Sequence, residues 1–249
     1  MCQLTRQPTL QFVIDLTTKG INVKSHVLVP NRRVRGFLGR EDILAKIKEA
    51  FDAENDVDPP RVFVLRAMGG QGKTQVALEY CYRSNKEKEF NTILWVDATS
   101  ENTLEKSFAA IAEHLRNPDQ KQGQDSGVDF VIGALMEWPE RWLMVFDNYD
   151  NPDSFEKPLT DYIPRGEQGC VLVTSRHSAA DDLAEPGYAL ELPPLDGNDA
   201  LKLLLKLSGN KETETNLKEG KNIVESLGCH ALAVTQAVGT HLSPTPFGI

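Results

Sequence analysis

The sequence predicts an α/β fold: a three-layer sandwich with a five-stranded parallel sheet, followed by a small helical subdomain. Three observations predict it. Short runs rich in β-branched residues alternate with stretches of helical periodicity, the pattern of βαβ units. A glycine cluster joins the first of these strands to a helix, within VFVLRAMGGQGKTQVALEY (62–80). After Leu192 the strand-like runs cease and only helical patterns continue.

Each element has its own signal. EDILAKIKEAF places Ile43, Leu44, Ile47 and Phe51 on one helical face, and the prolines of DVDPP cannot continue that helix. VFVL (62–65) reads as a buried strand. QVALEYCYR is the helix after the glycines, and TILWV (92–96) is a second strand. Ser100 caps a helix that carries Leu104, Phe108, Ile111 and Leu115 on one face. Val131, Ala134, Leu135 and Trp138 define another helix, stopped by Pro139. WLMVF (142–146), CVLVT (170–174) and YALEL (188–192) complete the five strands. Asn151 to Gly169 reads as a loop with a short helix. DGNDALKLLLKLSG, NLKEGKNIVESLG and ALAVTQAVG are helical, with Gly209 and Gly228 as stops. The expected boundaries are an irregular leader over 1–35, the α/β domain over 36–193, the helical subdomain over 194–240 and a tail over 241–249. In the leader, QFVIDL and HVLV stand either as short strands or as the remnant of an upstream domain. Arg32, Arg33 and Arg35 read as a solvated linker.

Composition narrows the function classes. The 249 residues are 40% hydrophobic and 25% charged, ordinary for a globular protein, with a net charge of −9. Such acidity disfavours a diffuse nucleic-acid binder. Four cysteines lie far apart, without metal-ligand spacing or a dense disulfide framework, as expected of reduced thiols in the cytosol. MCQLTRQPTLQFVIDLTTKG has no long apolar core, since Asp15 interrupts its best run, and is a poor signal peptide. No stretch reaches the roughly 20 apolar residues of a bilayer span. The expected location is cytoplasmic, without nucleic-acid or membrane partners.

The chemistry concentrates in AMGGQGKT, Ala67 to Thr74. The P-loop pattern is Gly, four residues, then Gly-Lys-Ser/Thr. Here Ala67 replaces the first glycine. Gly69, Gly70 and Gly72 let the backbone aim N–H groups at phosphates, and the following helix N-terminus adds its dipole. Lys73 would reach the β- and γ-phosphates as a point charge, and the Thr74 hydroxyl would sit on Mg²⁺. Met68, Gln71 and Gln75 complete the expected contact set of the loop. Asp147, ending WLMVFD, is the second expected Mg²⁺ ligand, usually through water. The alternative is an ordinary aspartate capping a strand end, and paired with the phosphate loop upstream the metal reading prevails. Asn148 stands where many hydrolases place a second carboxylate. An amide positions water but is a poor base. Arg176, just past the fourth strand, stands either as a reader of the γ-phosphate or as a surface ion pair.

Taken in order, FLGRE, AMGGQGKTQVALEY, ILWVDA, WLMVFDNYD, VLVTSRH and LGCHALAVTQA resemble NB-ARC domains. These are the nucleotide-binding modules of STAND-type signalling NTPases, such as plant resistance proteins and animal apoptosome proteins. The GKTQ-ALEY and FDN strings look most like fungal NOD-like receptors. The resemblance covers about Val34 to Thr240. It implies that the Thr174 strand lies between those bearing Lys73 and Asp147. It also implies that Arg40 approaches the adenosine, that Arg176 senses the terminal phosphate, and that the helices after Leu192 close over the base. Such modules hold ADP at rest and exchange it for ATP on activation, with slow hydrolysis as a reset. Two departures stand out. CHALA, Cys229 to Ala233, replaces Gly-Leu-Pro-Leu-Ala, so Ala231 stands for the proline near the adenine. His230 reads as a packing or capping residue that can also touch base or phosphate. The winged-helix segment and sensor repeats of the family are not recognisable in the sequence.

Three function classes follow. The first is an ADP- or ATP-binding switch with Mg²⁺. The second is a slow ATPase, which Asn148 disfavours. The third is a truncated regulator or decoy that pairs with a full-length NB-ARC relative.

Overall fold

Alternate residues of each central strand face opposite helical layers, and this two-residue period organises the core. The computed structural model describes residues 21–22, 24–34, 36–53, 60–117 and 126–239. Six parallel strands, β1 (His26–Leu28), β2 (Arg61–Arg66), β3 (Thr92–Asp97), β4 (Trp142–Asp147), β5 (Gly169–Ser175) and β6 (Ala189–Glu191), lie in the order β1-β3-β4-β5-β2-β6. On one face Phe63, Leu65, Ile93, Trp95, Leu143, Val145 and Leu172 pack with α1 (Glu41–Asp52) and α2 (Lys73–Glu87). On the other, Val64, Leu94, Val96, Met144, Phe146, Val171 and Val173 pack with α3 (Glu101–Leu115) and α4 (Gly127–Met136). A third core unites α5 (Gly197–Ser208), α6 (Glu214–Ser226) and α7 (Ala231–Gly239) around Leu201, Leu204, Val224 and Val234.

The sheet has six strands and not five. HVL of the leader pairs with β3 in the register His26↔Thr92 to Leu28↔Leu94. Three residues carry too little alternation to identify a strand. What makes them one is the open edge of β3, whose backbone groups need partners. QFVIDL, most of DVDPP and the tail HLSPTPFGI lie outside the described residues.

Two further differences are local. The fourth helix ends at Met136, and Trp138 follows in a turn whose amide donates to Leu135 O at 3.3 Å. Trp138 is buried by its position, beside the His26 ring, and not by helical periodicity. The stretch after Asn151 forms two 3-10 turns, Pro152–Ser154 and Leu159–Tyr162. The helix starts follow capping chemistry. Ser100 and Thr103 form a reciprocal box on α3, Asp196 caps α5 and Thr213 caps α6. Among the described residues, no helix is long and apolar enough to cross a membrane.

Candidate functional site

The strand order brings the carboxyl ends of β2, β5 and β4 side by side. Ligands of open α/β sheets bind there. The Thr174 strand, β5, indeed lies between the other two. The loop Ala67–Gly72 leaves β2 and enters α2, whose N-cap is Gly72 at φ 96°. Gly70 is also left-handed at φ 80°. Both conformations exclude most side chains, and the first turn of α2 carries no acidic residue to oppose an anion.

Lys73 is buried at the helix start. Its ammonium donates to Ala67 O at 2.7 Å and Met68 O at 3.3 Å. Burial lowers its pKa, partly offset by the charges of Asp150 and Asp147. Met68 lies largely exposed on the loop, whereas Gln71 is buried and its Oε1 has no hydrogen-bond partner. Gln75 faces the linker instead. Its Oε1 accepts from Val34 N at 2.9 Å and its Nε2 donates to Arg32 O at 3.3 Å.

Asp147 is fully buried and is the hub of the site. Its Oδ1 accepts from Thr74 Oγ1 at 2.8 Å and Thr174 Oγ1 at 2.7 Å. Its Oδ2 accepts from Arg32 Nη2 at 2.9 Å and Asn148 Nδ2 at 3.2 Å. Burial raises its pKa, against the opposing pull of the two hydroxyls and of Arg32. Asn148 sits at φ 65°, a left-handed conformation that asparagine tolerates better than most residues. Its backbone N–H donates to Thr174 Oγ1 at 3.0 Å. The conformation and the side-chain bond to Asp147 give a local reason for an amide at this position.

The solvated-linker reading fails for Arg32 and Arg33. Arg32 reaches Asp147, while Arg33 pairs with Glu79 at 2.8 Å and stacks 3.7 Å over the Tyr82 ring. Charge clustering alone does not reveal which buried carboxylates these arginines meet. Arg35 lies outside the described residues. Arg176 is mostly exposed and held by Asp150, which accepts from its Nε at 2.6 Å and its backbone N at 2.7 Å. A Cβ built on Gly69 would stand 3.5 Å from Arg176 Nη1, so the guanidinium also borders the phosphate loop. The two readings of Arg176 are thus compatible. Asp150, whose place the sequence left open, is its holder.

Arg40, His230 and Leu232 tie the helical subdomain to the α/β domain. Arg40 is a left-handed N-cap, and its guanidinium is buried. Nη1 donates to Pro194 O at 3.2 Å, while Nε and Nη2 have no hydrogen-bond partner. Burial lowers its pKa. His230 caps α7: its Nδ1 accepts from Ala233 N at 3.4 Å. That leaves Nε2 to carry the proton, and it donates to Gly69 O at 3.0 Å. Leu232 N donates to Gly70 O at 3.1 Å. Ala231 opens α7, a position where an N–H is free of helical pairing in any case, so a proline there would cost the helix no hydrogen bond.

Gly70 is where the loop and the subdomain meet most tightly. A Cβ there would come within 2.5 Å of His230 Cε1 and 2.9 Å of Leu232 Cβ. Gly70→Ala is therefore expected to destabilise the fold by about 1–2 kcal/mol, from the left-handed backbone plus the clash. It is also expected to accelerate hydrogen exchange at the Leu232 amide. Unchanged exchange there would mean that the loop and α7 are not coupled through Gly70.

The donor set is chemically selective. A hydroxyl and a carboxylate suit a hard cation such as Mg²⁺. The Thr74 hydroxyl directs its hydrogen to Asp147, which leaves oxygen lone pairs for a metal. The unpaired guanidinium donors of Arg40 and the unpaired Gln71 oxygen suit a polar ligand.

A family model described as the NB-ARC domain matches residues 40–214. A nucleotide-binding leucine-rich repeat (NLR)-like protein of Hyaloscypha variabilis is 25% identical over 226 residues, which are 85% of this chain and 23% of that protein. Disease resistance RPP13-like protein 4 of Arabidopsis thaliana is 30% identical over 142 residues, 56% of this chain and 16% of that protein. The chain thus spans about a quarter or less of the length of these curated relatives. Among solved structures, a STAND protein with a tetratricopeptide repeat sensor from Pyrococcus horikoshii aligns with a TM-score of 0.49 at 16% identity, over 85% of this chain and 33% of its own. The α/β assignment rests on strand order, not on that overlap. With the matched span covering well over half of the 249 residues, the chain belongs to the NB-ARC family.

Proposed function

We propose that this chain is an adenine-nucleotide switch module, binding ADP or ATP with Mg²⁺ in a cytoplasmic setting. The observation that carries the reading is the meeting of Lys73 and Thr74, in the first turn of α2, with Asp147 at the end of β4, and α7 docked on the same loop through His230 and Leu232. Loop amides and Lys73 would hold the phosphates, and Thr74 and Asp147 would hold Mg²⁺. Mg²⁺, when bound, supplies charge neutralisation to the phosphates. Arg40, joined to Pro194 where the core passes into the helical subdomain, would make nucleotide contact and subdomain closure one event. Homotypic pairing with another NB-ARC domain belongs instead to the reading of this chain as a regulator that pairs with a full-length relative. The relatives described above, an NLR-like protein and a disease resistance protein, accord with the switch reading.

The nucleotide that co-purifies tests the proposal. Near-stoichiometric ADP released on heat denaturation supports a resting switch. Empty protein that shows no thermal shift with Mg-ATP or Mg-ADP removes it. A slow Mg-dependent ATPase is the second reading, and the Asp150–Arg176 pair bears on it. Asp150→Ala and Arg176→Ala are each expected to weaken ATP binding several-fold and to be non-additive when combined, because one residue acts by holding the other. Binding of ADP should change less than binding of ATP. Additive effects would separate the two residues.

A further inference from the structure

We propose that Arg32 is the resident cation of the metal site, and that binding of Mg²⁺ with nucleotide displaces it and releases the segment 29–34. The inference rests on the nucleotide reading above, and it adds a regulated contact on this chain's own linker. Its foundation is the 2.9 Å ion pair between Arg32 Nη2 and Asp147 Oδ2. Thr74 bonds the other oxygen of that same carboxylate. A divalent cation gathered on the Thr74 side would therefore share one carboxylate with a guanidinium, and like charges at such spacing repel. Arg32 is the group free to leave. Its side chain is half exposed, while Asp147 is fully buried.

The rest of the segment is fastened to the helix that carries the loop lysine. Val34 N and Arg32 O bond the two ends of the Gln75 amide. Arg33 pairs with Glu79 and stacks on Tyr82. Gln75 directly follows Thr74, so the clamp and the candidate metal ligand share one helical turn. The segment follows β1, a three-residue edge strand. Loss of the Arg32 anchor thus loosens the connection between the sheet edge and the nucleotide site. Charge, exposure and connectivity give the linker two discrete arrangements, docked and released, which the ligand biases by its charge.

The test uses the full chain. Hydrogen exchange at the Val34 amide and tryptic cleavage after Arg32 and Arg33 are followed with no ligand, with Mg²⁺ alone, with Mg-ADP, and with ADP in EDTA. Binding of a fluorescent ADP analogue is measured in parallel. Mg-ADP is expected to raise exchange and cleavage about fivefold to tenfold, and ADP in EDTA to raise them much less. Arg32→Ala should exchange at the released rate without ligand. By reciprocity it should lower, by the same factor, the Mg²⁺ concentration that half-supports nucleotide binding. Arg32→Lys should restore part of the protection. If Mg-ADP binds and exchange at Val34 stays unchanged, the displacement proposal is overturned and the switch reading stands. If neither wild type nor Arg32→Ala binds nucleotide, the switch reading falls and the proposal with it.

Discussion

Lys73→Ala is expected to weaken binding of ADP on the order of a hundredfold, about 3 kcal/mol, while leaving the apo fold intact. The ammonium stands at the start of α2, where helix dipole and loop amides already favour an anion. It is the charged side chain aimed back at the loop itself, bonded to Ala67 O and Met68 O. A phosphate entering the loop would take over these donors, exchanging neutral acceptors for a charged one, and charge-assisted bonds are the stronger kind. Stability should hardly move. Burial already disfavours the charged form of Lys73, as its lowered pKa indicates, so removing the ammonium also removes a desolvation cost. Titration calorimetry with ADP, beside a thermal melt of the apo protein, reads both halves. Equal affinity in wild type and variant would falsify the phosphate role of the loop. A large fall in apo stability would mean that Lys73 is mainly structural.

Trp142→Ala is expected to cost about 3–5 kcal/mol of stability and to lower the melting midpoint by about 10 °C. Trp142 is among the largest fully buried side chains, at the opposite end of β4 from Asp147. Its indole N–H donates to Leu135 O at 3.1 Å, a carbonyl in the last turn of α4 that also accepts from Trp138 N. Across the strand pair it faces Gly169, where a Cβ would come within 2.4 Å of the ring. The ring thus occupies space that the facing residue vacates, and truncation leaves a cavity that rigid strands on both sides cannot close. Trp142→Phe separates the contributions. It keeps most of the apolar contact and loses the hydrogen bond, for an expected cost nearer 1–2 kcal/mol. Denaturant melts of the two variants check the ordering. A Trp142→Ala cost below about 1 kcal/mol would show that the site collapses, contrary to this packing.

These two residues show how differently the parts of the molecule were legible. Lys73 lies in a string whose spacing has a mechanism, so its place at a strand–loop–helix junction followed from the sequence. Trp142 was recognisable as part of a buried strand, but its pairing with Gly169 depends on the register of β4 against β5. Ser100 as a cap and Gly209 as a stop were readable because capping needs only residues a few positions apart. Gln75 shows the limit. Its position one residue after Thr74 placed it with the loop, yet its amide is taken by the linker backbone.

The sequence by itself determined five of the six strands, the helices between them, the phosphate loop and the acidic strand end. All of these rest on local periodicity and on backbone conformations that particular residues permit. Only the tertiary structure decided that HVL is a sixth strand, that Arg32 meets Asp147 across 115 positions, that Asp150 holds Arg176, and that His230 bonds Gly69 across 161 positions. The physical reason is the same in each case. Backbone groups and charged side chains are satisfied by whatever the strand order brings within about 3 Å. That order, β3-β4-β5-β2, is set by how the helical layers cover the whole sheet, and no spacing along the chain contains it.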